Sequence, residues 1–252
     1  MPFVSIEEAK ARGGVCLVTS RGIPVPWGEA AKAILQIKGI PHLRVGQEAG
    51  GDNSDLVEWT GIRSAPILII NDEPPLDRWA DILVRLERLQ PEPRLIPEDE
   101  ASRVQMFGLA HELLGPDGYC ANRRNWINAQ PENRAALSAD ALLRLRAHGT
   151  GETDRAPLRI RQILEHFGAI LREQYARGSR FILGDSITAI DLYWAASCAL
   201  SHPLSEPLCP LNPFIRAVYT EHLLEVLSST DALLLKHRDY IYQTYLELPV
   251  QL

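Results

Sequence analysis

Along residues 1–90 the apolar positions switch between short unbroken runs and helical spacing. Val15-Cys16-Leu17-Val18-Thr19 is a β-branched apolar run closed by Arg21-Gly22-Ile23-Pro24, which predicts a buried strand entering a loop. Between Pro26 and Lys38, residues Ala30, Ala33, Ile34 and Ile37 share one helical face, with Pro26 suited to the first turn and Gly39 to the end. His42 to Gln47 predicts a second strand. Gly50-Gly51-Asp52-Asn53-Ser54 breaks the pattern, and Ile67-Leu68-Ile69-Ile70 is a third strand ending at Asn71-Asp72. The prolines of Glu73-Pro74-Pro75 leave room for a short edge strand at best. Trp79, Ile82, Leu83, Leu86 and Leu89 then repeat at helical spacing.

Three prolines in the stretch from Gln90 to Glu98 stop that helix, and almost everything beyond reads as helical. The division expected is residues 1–90, a linker over 91–98, and an all-helical part over 99–252. Val104, Phe107, Ala110, Leu113 and Leu114 mark one helix, stopped at Gly115-Pro116. Ile160, Ile163, Leu164, Phe167, Ile170, Leu171 and Tyr175 mark another. From Thr188 to Leu200 almost no polar face is left, so this helix belongs inside the fold. Thr188 and Asp191 stand at its start as a capping box, each able to satisfy a backbone donor that water does not reach. The stretch from His237 to Leu252 is apolar and aromatic enough to pack back on the body.

Composition narrows the function. The 252 residues carry 26 basic and 32 acidic side chains, a net charge of −6, and the basic groups are scattered, so no stripe for nucleic acid is present. No apolar run reaches the roughly 20 residues needed to cross a bilayer. The first residues show neither a hydrophobic stretch nor a small-residue cleavage site, and the expected compartment is the cytoplasm. Four widely spaced cysteines fit neither a zinc motif nor a disulfide framework, so they are read as reduced thiols and no metal is expected. A Gly-x-Ser-x-Gly elbow is absent, which removes nucleophilic hydrolysis of that type.

Two local features point to a family. Ser64-Ala65-Pro66-Ile67 sets a proline directly before a strand, and Gly184-Asp185-Ser186-Ile187-Thr188-Ala189-Ile190-Asp191-Leu192 sets a glycine and a capping box before a buried helix. With Trp27-Gly28-Glu29-Ala30-Ala31-Lys32 and Lys38-Gly39-Ile40-Pro41, these segments resemble the cytosolic glutathione S-transferases. The resemblance covers nearly the whole chain. It implies an α/β thioredoxin-like domain with a cis-proline at Pro66, followed by an all-α helical bundle. It also implies glutathione as cosubstrate, a small hydrophobic electrophile as second substrate, a detoxifying role and a homodimer.

The chain departs from that pattern where the chemistry sits. The position that carries serine or cysteine in many classes falls on Val25, which neither donates to a thiolate nor attacks. Ser20 and the Trp27 indole N–H are the remaining catalytic candidates, if the loop folds back on itself; the bland alternatives are a local turn bond for Ser20 and interdomain packing for Trp27. Where relatives place an acidic residue and serine for the γ-glutamyl carboxylate, this chain reads Arg78-Trp79. Arg78 suits a carboxylate as a charge-assisted partner, or is a solvated surface residue beside a core Trp79. The glutathione-binding set implied is Val25, Ala65, Pro66, Arg78 and Trp79, with the Ala65 backbone pairing the cysteinyl segment. Phe107, His111 and Arg124 are the substrate-pocket candidates, near Glu112, Tyr119, Asn122, Arg123 and Trp126. Read singly, His111-Glu112 is equally an exposed pair and Arg123-Arg124 a solvated face. The competing function is a non-catalytic ligand-binding or scaffold protein of the same fold.

Overall fold

The computed structural model describes residues 2–135, 153–221, 226, 228 and 230–252. Residues 136–152, within the stretch expected to be helical, lie outside the described residues. The chain opens with β1 (Phe3–Val4) and α1 (Ile6–Arg12), then β2 (Val15–Ser20), α2 (Pro26–Ile37), β3 (Leu43–Gln47), α3 (Ser54–Thr60), β4 (Ile67–Ile70) and α4 (Trp79–Leu89). Helices α5 (Glu100–Leu114), α6 (Tyr119–Ala129), α7 (Pro131–Ala135), α8 (Ala156–Ala176), α9 (Ala189–Ser197), α10 (Pro213–Glu221) and α11 (Ala232–Tyr245) follow.

The strands form one sheet in the order β1-β3-β2-β4. β1, β3 and β2 run parallel, and β4 is antiparallel to β2 with Val18 opposite Ile67 and Val15 opposite Ile70. The edge strand anticipated near Pro74 is a single bridge, Leu76 to Leu68, closed by two backbone bonds of 2.7 and 2.9 Å. Side chains alternate across a strand, and here both faces are covered. Leu17, Leu68 and Ile70 face α2 and α4, whereas Cys16, Val18, Val45, Ile67 and Ile69 face Ala9 of α1 and Leu56 of α3. This is why the central strands read as unbroken apolar runs.

Within residues 1–90 three elements went unread in the sequence, β1, α1 and α3. Ser5 caps α1 by accepting from the Glu8 N–H at 3.1 Å, and Gly13 ends it at a φ of 62°. The α3 helix follows Asn53, whose left-handed φ of 50° disguises the start. One reading of the apolar pattern also changes: Val104 is 63% exposed, because it lies about 200° around the helix from Met106, which heads the buried stripe Met106, Ala110, Leu113. The long apolar segment from Thr188 is α9 followed by a 3-10 turn over Cys198–Leu200.

Every residue of α9 is buried, and the helix packs against α2, α5 and α11. Its start has no water to lean on. The Asp191 carboxylate accepts the Thr188 N–H at 2.9 Å and the Thr188 hydroxyl at 3.2 Å on one oxygen, and the Ile182 N–H at 2.8 Å and His237 Nε2 at 2.9 Å on the other. Thr188 and Asp191 thus form the expected capping box. The Ala189 N–H is taken by the Leu95 carbonyl at 2.9 Å, which ties the 91–98 stretch to the same helix end.

That stretch is held from its other side by a lysine with a fully buried side chain. Lys38 Nζ reaches Glu87 Oε2 at 2.6 Å, the Gln90 carbonyl at 2.8 Å and the Pro93 carbonyl at 2.9 Å. Glu87 Oε1 in turn accepts the N–H groups of Leu95 and Ile96 at 3.0 and 3.2 Å.

Removing one member of a buried ionic network strands the rest. Lys38→Met is expected to lower unfolding free energy by about 3 kcal/mol in urea denaturation, whereas Arg12→Ala, at a surface pair with Glu8, leaves the midpoint unmoved. Asp191→Ala, which orphans buried donors, is expected to cost about 3 kcal/mol or more against about 1 kcal/mol for Thr188→Ala. Equal midpoints for the two variants would contradict the four-donor role of the carboxylate.

Candidate functional site

Strand register brings the candidate binding residues to one end of the sheet. Val18 pairs with Ile67 in antiparallel register, so Ala65 lies level with Ser20, where β2 runs out into the loop to α2. Leu76 pairs with Leu68 in the same sense, so continuing that register sets Arg78 level with Pro66. The Ala65–Pro66 bond is cis, as expected. Ladder pairing of β4 begins only at Ile67, leaving the Ala65 peptide beyond the β2–β4 ladder.

Two helices begin at this end. Val25 is the N-cap residue of α2 with φ −70° and ψ 121°, and it supplies no side-chain acceptor. Pro26 lacks an N–H, so Trp27 and Gly28 carry the first donors of the helix. Arg78 is the N-cap residue of α4, also without a side-chain cap bond, and its side chain is exposed. Two helix N-termini without side-chain caps, with Arg78 at the second of them, and a peptide beyond the ladder therefore lie at one end of the sheet. Helix N-termini favour anions through their orphan N–H groups and the macrodipole.

The proposed thiol activators are both engaged. The Ser20 hydroxyl, buried, donates to Gln47 Oε1 at 2.9 Å across the sheet instead of making a turn bond. Trp27 Nε1 donates to the Leu114 carbonyl at the end of α5 at 2.9 Å, the packing role between the two parts of the chain. The Arg124 guanidinium lies 5.1 Å from the Trp27 ring. A second aromatic group forms where Trp79 meets Phe107 at 6.3 Å and the edge of Tyr193 at 5.6 Å, with the Arg103 guanidinium 5.1 Å from Phe107. Trp79 therefore leans onto the helical part.

The remaining pocket candidates divide. His111 is exposed. Glu112 is paired with Arg159 at 2.6 Å, and Asn122 donates to the Asp117 and Gly118 carbonyls before α6. Arg123 is fully buried, donating to the carbonyls of Leu200 and Tyr219 at 2.9 and 2.8 Å, and Tyr119 bonds Ser201 in the core. These are structural groups. Burial lowers the pKa of both Arg123 and Arg124 from the usual arginine value. Among the described residues no cluster of three His, Cys, Asp or Glu side chains could hold a metal ion, and no described helix is long and apolar enough to cross a membrane.

No family model matches the sequence, and no curated protein matches it. Solved structures do. A glutathione S-transferase from Methylobacterium radiotolerans, in complex with glutathione sulfonate, superposes with a TM-score of 0.57 at 17% identity, over 94% of this chain and 96% of that one. One from Xanthobacter autotrophicus gives 0.58 at 15% identity over 93% and 96%. A glutathione transferase family member from Pseudomonas fluorescens, with two glutathione bound, gives 0.55 at 12% over 89% and 92%. The chain has the glutathione S-transferase fold. Within this fold β3-β2-β4 and Leu76 form the thioredoxin-like sheet, and β1 is an added edge strand.

None of the chain's own thiols suits this end of the fold for sulfur chemistry. All four cysteines are free and buried. Burial raises the pKa of Cys16, Cys198 and Cys209 and pushes Cys120 up to about 12. In this glutathione-transferase fold the native protein is expected to give almost no reaction with a thiol reagent at pH 8, and four thiols once denatured. A fast-reacting native thiol would contradict the burial.

Proposed function

We propose that the chain binds glutathione at the sheet end formed by Val25, Ala65, Pro66, Arg78 and Trp79, and transfers it to a small hydrophobic electrophile. The observation that carries this reading is that two helix N-termini without side-chain caps and the Ala65 peptide beyond the ladder lie at one end of the sheet. An extended peptide adds to such a peptide edge by main-chain hydrogen bonds. The γ-glutamyl carboxylate meets Arg78 and the start of α4, and the sulfur meets the N–H groups of Trp27 and Gly28 at the start of α2. The glutathione sulfonate of the Methylobacterium radiotolerans protein and the glutathione of the Pseudomonas fluorescens protein support the choice of tripeptide.

Chemically, binding releases the thiol proton to solvent. The thiolate then attacks the electrophilic carbon, forming the carbon–sulfur bond and either expelling the leaving group with its electron pair or opening a polarised double bond, whose far atom takes a proton back from solvent. Phe107 and Arg124 flank the second substrate, with Arg124 on the Trp27 face. Residues 1–90 form the thioredoxin-like domain, 91–98 the linker and 99–252 the helical domain. The protein works in the cytoplasm as a homodimer, which would cover the exposed Leu89 and Val104.

One observation favours the alternative, a non-catalytic member of the fold. Val25 offers no donor, and Ser20 and Trp27 already donate elsewhere. Glutathione titration separates the readings. The transferase is expected to melt at higher temperature with millimolar glutathione, to show thiolate absorbance with the bound thiol ionising about two units below the ordinary value near 8.5, and to sediment as a dimer. Arg78→Ala weakens binding about tenfold. Stabilisation without thiolate supports the non-catalytic protein, and no stabilisation overturns glutathione binding altogether.

A further inference from the structure

Trp79 is the first residue of α4, one position after the Arg78 N-cap. Side chains on a helix lean toward its N-terminus, so a ring at this position has a default direction, out over Arg78 and the first N–H groups of the helix. No preceding helical turn stands behind Trp79 to exclude a rotamer. By local preference alone the indole is therefore free to cover the place proposed for the γ-glutamyl carboxylate.

Tertiary packing holds it elsewhere. Trp79 and Tyr193 meet edge to face, 5.6 Å between ring centroids and 79° between planes, and Phe107 lies against Trp79 at 6.3 Å and 35°. An edge-to-face pair sets the positive rim of one ring on the negative face of the other, which fixes direction as well as distance. The two supports differ in stiffness. Phe107 is half-buried on α5, with the Arg103 guanidinium 5.1 Å from its ring. Tyr193 is 1% exposed and stands on α9, where every residue is buried and the start is fixed by Thr188 and Asp191. Its ring is the fixed point against which Trp79 is set. The hydroxyl has no share in this: it makes no hydrogen bond among the described residues, and burial, with the Glu87 carboxylate near, raises its pKa.

We propose, on the reading that glutathione binds at this end of the sheet, that Tyr193 is a positioning residue for the tripeptide. It acts through Trp79 and not by contact with the ligand. Its ring keeps the indole turned onto the helical part, so that Arg78 and the start of α4 stay open to the γ-glutamyl carboxylate. A serine in place of Trp79 needs no such hold; the tryptophan of this chain does.

Fluorine NMR of the full chain labelled with 5-fluorotryptophan reads the ring directly, the Trp79 signal being the one lost in Trp79→Phe, and calorimetric titration reads glutathione. Tyr193→Leu is expected to move the Trp79 signal and to weaken glutathione about fivefold. Tyr193→Met, a flexible filler of the same space, gives the same result and serves where leucine does not fold. Tyr193→Phe keeps the ring, drops only the hydroxyl and changes neither readout. Phe167→Leu, which loosens the same helical part at the Trp194 ring it stacks on at 6.0 Å, also changes neither. In a Trp79→Ser background, with no indole to hold, Tyr193→Leu leaves glutathione binding unaltered. The proposal is overturned if the wild type binds glutathione and Tyr193→Leu or Tyr193→Met binds it equally well, if the Trp79 signal stays in place, if Phe167→Leu weakens glutathione as much, or if the loss persists with Trp79→Ser. A wild type that binds no glutathione is a different outcome, which overturns the functional reading and this role together.

Discussion

A single buried carboxylate holds the helical part of this protein together. Asp191 is fully buried, yet its two oxygens accept four hydrogen bonds, from Thr188 twice, from Ile182 and from His237. A carboxylate removed from water is tolerated only when its lone pairs are filled and a positive field is near, and the start of α9 provides both. In return the charge fixes three things at once. It caps a helix whose sides are all apolar, it sets the turn at Ile182, and it locks α11 to α9 through His237. Because the carboxylate only accepts, His237 Nε2 carries the proton in this pair.

The same logic continues into the first part of the chain. Leu95 is gripped on both sides, its N–H by Glu87 and its carbonyl by the Ala189 N–H. Glu87 is itself paired with buried Lys38 at the end of α2. Backbone groups that would otherwise be stranded in an irregular stretch are thereby satisfied by ionised side chains, the stronger class of hydrogen bond. The consequence reaches the end of the sheet proposed to bind glutathione. With α2 held against α9 and the 91–98 stretch, Trp27 is brought to the Leu114 carbonyl and Trp79 to Phe107, so the proposed substrate walls are built by packing between the two parts.

How much of this was readable depended on the range of the interaction. Thr188 and Asp191 are three residues apart, and a capping box ahead of an apolar helix is a local statement that needs no fold to be recognised. Helix α1 carried the same kind of signal in Ser5 and Glu8 but lacked a long apolar face to draw attention to it. Helix α3 hid behind glycines and the left-handed Asn53, which punctuate a sequence as a loop does. Val104 misled because spacing alone does not say which stripe of a helix faces the core. Ser20 and Trp27 looked available because their partners, Gln47 and the Leu114 carbonyl, are 27 and 87 residues away.

By itself, then, the sequence determined strands β2, β3 and β4, helices α2, α4, α5 and α8, the buried character of α9 and its cap, and the proline before β4, because each follows from neighbours within a few residues. Tertiary structure alone decided where the charges went: Arg123 onto carbonyls in the core, Lys38 onto the 91–98 stretch, Lys32 and Arg44 onto the Gln251 carbonyl. The physical reason is that a charged side chain declares its sign in the sequence but not its partner. Its partner is fixed only when folding removes water and leaves whichever acceptor lies within about 3 Å.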